Sequence, residues 1–230
     1  MDSKTVESKF LTSEREVSAL LIRPENATWL LALGHGASTN MRHQTLQTIA
    51  ERLADVGIAT FRYNFPYAEV GGGRNSDAVC KESVRSAVAA AHRAASDLPL
   101  LVGGHSFSGR MSSMAMAEAP IAHVRGLVFF AFPLHPSGKP STARAEHLSD
   151  VSAPMLFLSG TRDTLAELKL LESVCQALGE KATLHLLDTA DHGFKALKRS
   201  RKTDEDVFVE MARVIKGWCG NLTVEIEYRF

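Results

Sequence analysis

The sequence predicts an α/β fold: a doubly wound, mostly parallel sheet flanked by helices. Three observations carry this. Short apolar, strand-like runs alternate with longer helical patterns along nearly the whole chain. Two of the runs, VRGLVFFAFP (124–133) and APMLFLSG (153–160), are apolar without alternation, as strands covered by helices on both faces read. No internal repeat, low-complexity tract or linker interrupts the 230 residues, a length that one core can hold.

In chain order, VSALLI (17–22) and WLLALGH (29–35) are the first strands, and the Pro24-Glu25-Asn26 break between them reads as a hairpin connection. Leu46, Ile49, Ala50, Leu53 and Val56 recur at helical spacing over 41–56. IATFRYN (58–64) is a strand, 77–95 an alanine-rich helix, and PLLVGGH (99–105) a strand feeding the helix SFSGRMSSMAMAEA. A helix over 165–178 and the strand KATLHLLD (181–188) follow the two apolar runs. The last helix is expected over 204–218, with Thr203 as N-cap and Asp204, Glu205 and Asp206 in its first turn. Its buried stripe is Val207, Met211, Val214, Ile215 and Trp218. After Gly220, Leu222, Val224, Ile226, Tyr228 and Phe230 alternate with polar residues, so 221–230 reads as a strand-like extension. Such a strand needs an edge to pair with, in its own sheet or in a second copy of the chain, giving a monomer or a homodimer. Residues 1–220 then form one domain.

Composition excludes several function classes. Lys+Arg and Asp+Glu both number 26, so the net charge is zero and nothing points to nucleic acid or an anionic membrane. A small, nearly uncharged substrate fits that balance. Three cysteines without CxxC or zinc-ligand spacing suggest a reducing, cytoplasmic compartment. The polar MDSKTVESKF start reads as no secretory signal, and the longest apolar runs are too short to cross a bilayer. No His, Asp, Glu or Cys cluster has metal-ligand spacing, and no cofactor is expected. The basic run Lys195, Lys198, Arg199, Arg201 and Lys202 reads as a solvated loop.

Chemistry should lie where strands run out into loops, beyond their carboxyl ends. Ser106 sits there, between PLLVGGH and a helix, the strand–turn–helix setting that pushes a nucleophilic serine out of a sheet. Ser108 stands two residues later, where a glycine is usual, with Gly109 behind it. A serine needs a base to take its proton and a carboxylate to orient that base. LFLSGTRD presents Asp163 and TADHGF presents His192, each in a loop after a predicted strand. An oxyanion hole needs two donors. The backbone N–H groups of Phe107 and of Ala37, in the loop LGHGAS, are the candidates.

LGHGAS, FRYNFPY, GGHSFSGRM, FPLHPSGKP with ARAEHL, LFLSGTRD and TADHGFK together resemble the α/β-hydrolase superfamily. More narrowly, they resemble its small, cap-less group related to dienelactone hydrolases. The resemblance implies Ser106 as nucleophile, His192 as base, Asp163 as acid and an open site without a large cap domain. It places FPLHPSGKP at the mouth. Candidate substrate contacts are His35, Phe65, Tyr67, His135 and Phe194, with Phe107 and Phe132 also considered for the pocket wall; His35 also reads as a structural residue that hydrogen-bonds its loop backbone.

Competing readings stand beside these. Ser106 could be a helix N-cap. GHSFSGRM half-matches a phosphate loop, but Arg110 and Met111 occupy its Lys and hydroxyl positions. His105 flanks the serine and should point away from it, and Asp188 and Asp191 compete with Asp163. The expected function is a cofactor-free serine hydrolase (carboxylesterase-like) acting on small esters through an acyl-enzyme. A non-catalytic scaffold, or a thioester or lactone hydrolase on the same residues, is the alternative.

Overall fold

The computed structural model describes residues 5–227. Its eight strands are β1 (Thr5–Leu11), β2 (Glu16–Ile22), β3 (Trp29–Gly34), β4 (Ile58–Tyr63), β5 (Leu100–His105), β6 (Val124–Phe130), β7 (Met155–Gly160) and β8 (Ala182–Leu187). They form one sheet in the order β1-β2-β4-β3-β5-β6-β7-β8. β1 and β2 run antiparallel to their neighbours and the other pairs are parallel. The helices are α1 (Gln44–Asp55), α2 (Pro66–Val70), α3 (Asp77–Ala94), α4 (Phe107–Glu118), α5 (Leu168–Leu178) and α6 (Val207–Glu227).

The uninterrupted apolar runs are explained by two cores, one on each face of the sheet. Along β6, Leu127 and Phe129 join the core under α3, α4 and α5, while Val128 and Phe130 join the core under α1 and α6. β7 repeats this with Met155 and Phe157 against Leu156 and Leu158. Successive side chains point to opposite faces, so a strand covered on both must be apolar at every position.

Four expectations need correction. β2 and β3 do not form a hairpin. β2 pairs with β1 and β4, and β3 lies between β4 and β5. Every residue of β3 is buried, as a central strand requires, whereas β2 keeps exposed or half-buried positions at Glu16, Ser18 and Leu21. Residues 23–28 need only pass over β4, roughly 10 Å at two strand spacings, which six residues span easily. β1, too polar to read as a strand, is anchored through Phe10, whose ring meets Phe61 and Tyr63.

The start of α6 is displaced. Asp206, not Thr203, caps it, accepting from the N–H groups of Phe208 at 2.9 Å and Val209 at 3.3 Å. The expected strand over 221–230 is helical as far as Glu227, and residues 228–230 lie outside the described residues. Leu222 is buried one turn beyond Trp218 and packs into the α1/α6 core, so the helix continues the stripe that the earlier turns began. Alternation over so short a stretch does not separate a two-residue from a 3.6-residue period. Among the described residues, β1 and β8 remain the sheet edges and no C-terminal strand pairs with either.

Trp218 lies so close to the sheet that a Cβ on Gly126 would be 2.7 Å from its ring. Trp218→Ala should therefore cost about 3–5 kcal/mol and Leu222→Ala about 2–4 kcal/mol in urea unfolding. Wild-type midpoints for both would mean that the last turns of α6 do not pack as described.

Candidate active site

The sheet order reverses at β3, which has β4 on one side and β5 on the other. That is the switch point where connections leave the sheet in opposite directions and open a crevice. Gly34 pairs with Gly104 across β3 and β5, so the loops that follow, 35–43 and the turn at Ser106, start side by side.

The turn at Ser106 is strained. Its φ and ψ are 53° and −109°, a region that non-glycine residues avoid. Ser106 N donates to Phe130 O at 2.8 Å, holding the turn against β6. The N-cap reading fails because the Ser106 side chain caps no helix N–H. Its Oγ instead meets His192 Nε2 at 2.8 Å. His192 Nδ1 meets Asp163 Oδ2 at 2.8 Å. Asp163, its side chain wholly buried, also accepts from Leu165 N through Oδ1 at 2.8 Å. The three residues predicted from separate loops thus form one hydrogen-bonded chain. With the Nδ1 proton given to the carboxylate, Nε2 is left to accept from the serine hydroxyl.

The rival aspartates do other work. Asp191 Oδ1 accepts from Gly193 N and Lys195 N, closing the turn that carries His192. Asp188 accepts from Lys202 N. The His192 loop folds tightly over β7, where a Cβ on Gly160 would lie 2.2 Å from Ala190 O.

The loop after β3 is built from below. Met41 N donates to Asn64 Oδ1 at 2.9 Å, and Met41 O accepts from the buried guanidinium of Arg62 at 3.2 Å. Both residues belong to FRYNFPY, whose part in the site sequence reasoning did not resolve. Ala37 is exposed on this loop and Phe107 opens α4. Among the described residues, neither N–H has a hydrogen-bond partner within the protein.

Four of the five candidate substrate contacts are structural. His35 is fully buried, accepting from Phe65 N at Nε2 (3.2 Å) and donating from Nδ1 to Gly36 O (2.8 Å). His135 accepts from Glu167 N at Nε2 (2.9 Å) and donates to Pro136 O (2.9 Å), tying FPLHPSG to the loop that carries Asp163. Phe65 is fully buried against His35, Tyr63, Tyr67 and Phe107. Phe194 packs between His105 and Phe208 and lines a depression of about 480 Å³ beside the start of α6, which none of Ser106, Asp163 or His192 borders. Phe132, also considered for the wall, is core packing with Phe129 and Phe157. Tyr67, mostly buried, meets the Phe107 ring edge-on beside Ser106.

His105 reaches the loop that carries His192, a contact the sequence does not suggest. Its Nε2 donates to the carbonyl of His192 at 3.0 Å, and its ring lies 5.4 Å from that of His192. The period of two along β5 gives its face, but only the tertiary path of the 188–197 loop brings the carbonyl there. Ser108 points inward, buried between Gly34 and Gly104, with Oγ donating to His105 O at 3.2 Å.

On the base side a shallow cleft of about 410 Å³ is lined by Arg162, Thr164, His192 and Gly193. No group of three or more His, Cys, Asp or Glu suited to a metal ion occurs among the described residues, nor does a helix long and apolar enough to cross a membrane.

A family model described as an alpha/beta hydrolase domain matches residues 26–220. Among solved structures, the chain is similar to the dienelactone hydrolase of Anabaena variabilis. The TM-score is 0.75 at 18% identity, covering 94% of this chain and 96% of that one. It is also similar to a lidless α/β serine hydrolase of Xanthomonas campestris (TM-score 0.68, 19% identity, 84% and 88% covered). A third is Est1E of Butyrivibrio proteoclasticus, with ferulic acid bound (0.72, 14%, 94% and 99%). At these identities the likeness is one of fold.

Burial holds both His35 and His105 down at about 4 from the ordinary 6.5. Between those values the unfolded chain binds more protons than the folded one, so the stability these rings contribute is intact above about 6.5 and lost as pH falls toward 4. Melting temperature should fall over that window, and less steeply in His105→Gln. A slope unchanged by the substitution would show that His105 is not kept neutral by the fold.

Proposed function

The chain belongs to the α/β hydrolase family, and we propose that it is a serine hydrolase that cleaves carboxylic esters of small substrates through an acyl-enzyme. The observation that carries this is the continuous chain from Ser106 Oγ through His192 to Asp163, both contacts at 2.8 Å, built on a strained turn. A helix cap or a scaffold has no need of that strain, which is worth about 1–3 kcal/mol.

Ser106 Oγ attacks the ester carbonyl while His192 Nε2 takes its proton. Asp163 holds the Nδ1 proton and stabilises the imidazolium that forms. The unpartnered N–H groups of Phe107 and Ala37 supply the donors for the oxyanion, and the N-terminus of α4 adds its partial positive charge. His192 then returns the proton to the departing alcohol. Water, activated by the same nitrogen, attacks the acyl-enzyme and frees the acid and the serine. Between β6 and β7 only residues 131–154 intervene, with a 3-10 stretch at Ala143–Asp150, so no large lid covers the site and short, accessible esters fit it. His105 acts as a positioning residue, keeping the His192 backbone at its height above Ser106.

A fluorophosphonate probe should label the protein at Ser106, and Ser106→Ala should abolish both labelling and hydrolysis of 4-nitrophenyl acetate. Asp163→Asn should lower kcat on the order of a thousandfold or more without unfolding the chain. His105→Phe should lower kcat roughly tenfold to a hundredfold while KM changes little. An unlabelled wild-type protein would overturn the hydrolase reading. Labelling that persists in Ser106→Ala would overturn only the choice of nucleophile.

A further inference from the structure

Arg62 is among the largest side chains of the core, and its exposure is 0%. It stands near the end of β4. Its register partner Leu33 packs in the α1/α6 core, which puts the Arg62 side chain on that apolar face of the sheet. Of its three nitrogens only Nη1 has a partner, the carbonyl of Met41 at 3.2 Å, while Nε and Nη2 are buried with none. Burial draws the guanidinium down to about 10, below the ordinary arginine range. The carboxylate whose charge reaches it, Glu51, is exposed on α1 and accepts from Gln47, and Arg42 opposes its attraction. Among the described residues Arg62 forms no ion pair. An arginine kept for stability is ordinarily paired, because burying free donors and an unopposed charge costs free energy. Stability alone therefore does not account for a charge at this place.

The loop at which its one bond ends does account for it. Residues 35–43 are held to the sheet at two places. At the start, His35 Nε2 accepts from Phe65 N. At the end, the buried Met41 is gripped by both main-chain groups: its N–H donates to Asn64 Oδ1 and its carbonyl accepts from Arg62. Between these anchors the hydrogen bonds stay within the loop. Thr39 N and Oγ1 both donate to Gly36 O, and Asn40 accepts from Arg42 N and His43 N. Ala37 lies in that stretch, so the height of its N–H above the sheet is set by the anchors. Asn64 belongs to a paired network, since its Nδ2 donates to Glu69 Oε2 and Glu69 accepts from Ser18. Arg62 belongs to none, and its donor serves the loop alone.

Resting on the hydrolase reading, we infer that Arg62 is a positioning residue, which destabilises the core around it and holds the 35–43 loop where Ala37 N–H meets the oxyanion. Without the guanidinium, Met41 O would be a buried carbonyl with no donor, and it finds one only if the loop moves out toward water. A displacement of about 1 Å at a catalytic donor is enough to lower a rate by up to roughly a hundredfold. An apolar side chain of similar length removes the unpaired charge at the same time, so the core gains where the site loses.

Arg62→Met tests this, with 4-nitrophenyl acetate as substrate and a trifluoromethyl ketone as inhibitor. Ser106 Oγ adds to the carbonyl carbon of the ketone, its proton passing to His192, and the hemiketal oxyanion lies where that of the ester would. The melting temperature should equal or exceed that of the wild type. The value of kcat should fall roughly tenfold to a hundredfold with KM little changed, because the donor acts in the transition state. Ki for the ketone should rise by the factor by which kcat falls. The acidic limb of the kcat/KM profile, which reports His192, should stay in place, since Arg62 has no bond to Ser106, His192 or Asp163. Arg62→Lys, which keeps a donor on a flexible stem, should recover most of the loss. A variant Arg62→Met that does not fold, or that melts more than about 4 °C below the wild type, shows Arg62 to be structural and overturns the inference. A wild-type kcat, a displaced acidic limb, or a loss that Arg62→Lys does not lessen overturns it as well. Fluorophosphonate labelling separates the two readings. With a labelled wild type, these outcomes remove the role of Arg62 alone. A wild type neither labelled nor active overturns the hydrolase reading and the role of Arg62 with it.

Discussion

The site depends on how closely β3, β5, β6 and the start of α4 approach one another. A Cβ on Gly103 would sit 1.9 Å from Val128 O. One on Gly104, whose φ of 155° already favours glycine, would sit 2.1 Å from Ser108 Oγ and 2.4 Å from Gly34 O. No side chain fits at either place, and a core at this density has no room to move aside. Because that space is used up, the chain cannot leave β5 by an ordinary helix start. It must turn at once, and Ser106 absorbs the turn in its dihedrals. The strain is offset by the Ser106 N–H bond to Phe130 O and by the first turn of α4, both of which the sheet holds in place. Ser106 is left half-buried at the surface because everything beneath it is packed.

A second layer of order comes from backbone groups that fix imidazole protons. His35 must carry its proton on Nδ1, because Phe65 N occupies Nε2, and the same holds for His135 and Glu167 N. His105 must carry its proton on Nε2, because a carbonyl faces it. The carboxylate of Asp163 sets the tautomer of His192 in the opposite sense. Each ring therefore joins two loops that sequence leaves independent. His35 joins the β3 loop to Phe65 just after β4, His135 the β6 loop to the Asp163 loop, and His105 the Ser106 turn to the His192 loop. Neutral rings are suited to this, since a charged one in the same burial would seek a counter-ion that the fold does not provide.

Much of this was legible. The central strands read correctly because both of their faces are buried, and the order Ser106, Asp163, His192 could be read because each lies directly beyond a strand end. The pairing of β2 was missed because strand order is a tertiary property, and a break at Pro24 looks the same whether the next strand pairs or crosses over. The tail from Asn221 was misread because Leu222, Val224 and Ile226 fit two periods, and only the packing of Leu222 into the core beside Trp218 decides between them. His135 was credited with substrate contact because sequence shows an imidazole near a site but not the backbone N–H that already occupies it, whereas His35 bonds its own loop backbone as its structural reading expects. The bond of His105 was missed for the converse reason: its partner is a main-chain carbonyl, which carries no residue-specific signal.

Ser108 marks the same limit on a smaller scale. In sequence, Ser108 looks like a departure from the glycine expected at the elbow. In the fold its hydroxyl bonds to His105 O, and its Cβ fills the gap that Gly34 and Gly104 leave, so a small side chain is accommodated because two neighbouring residues have none.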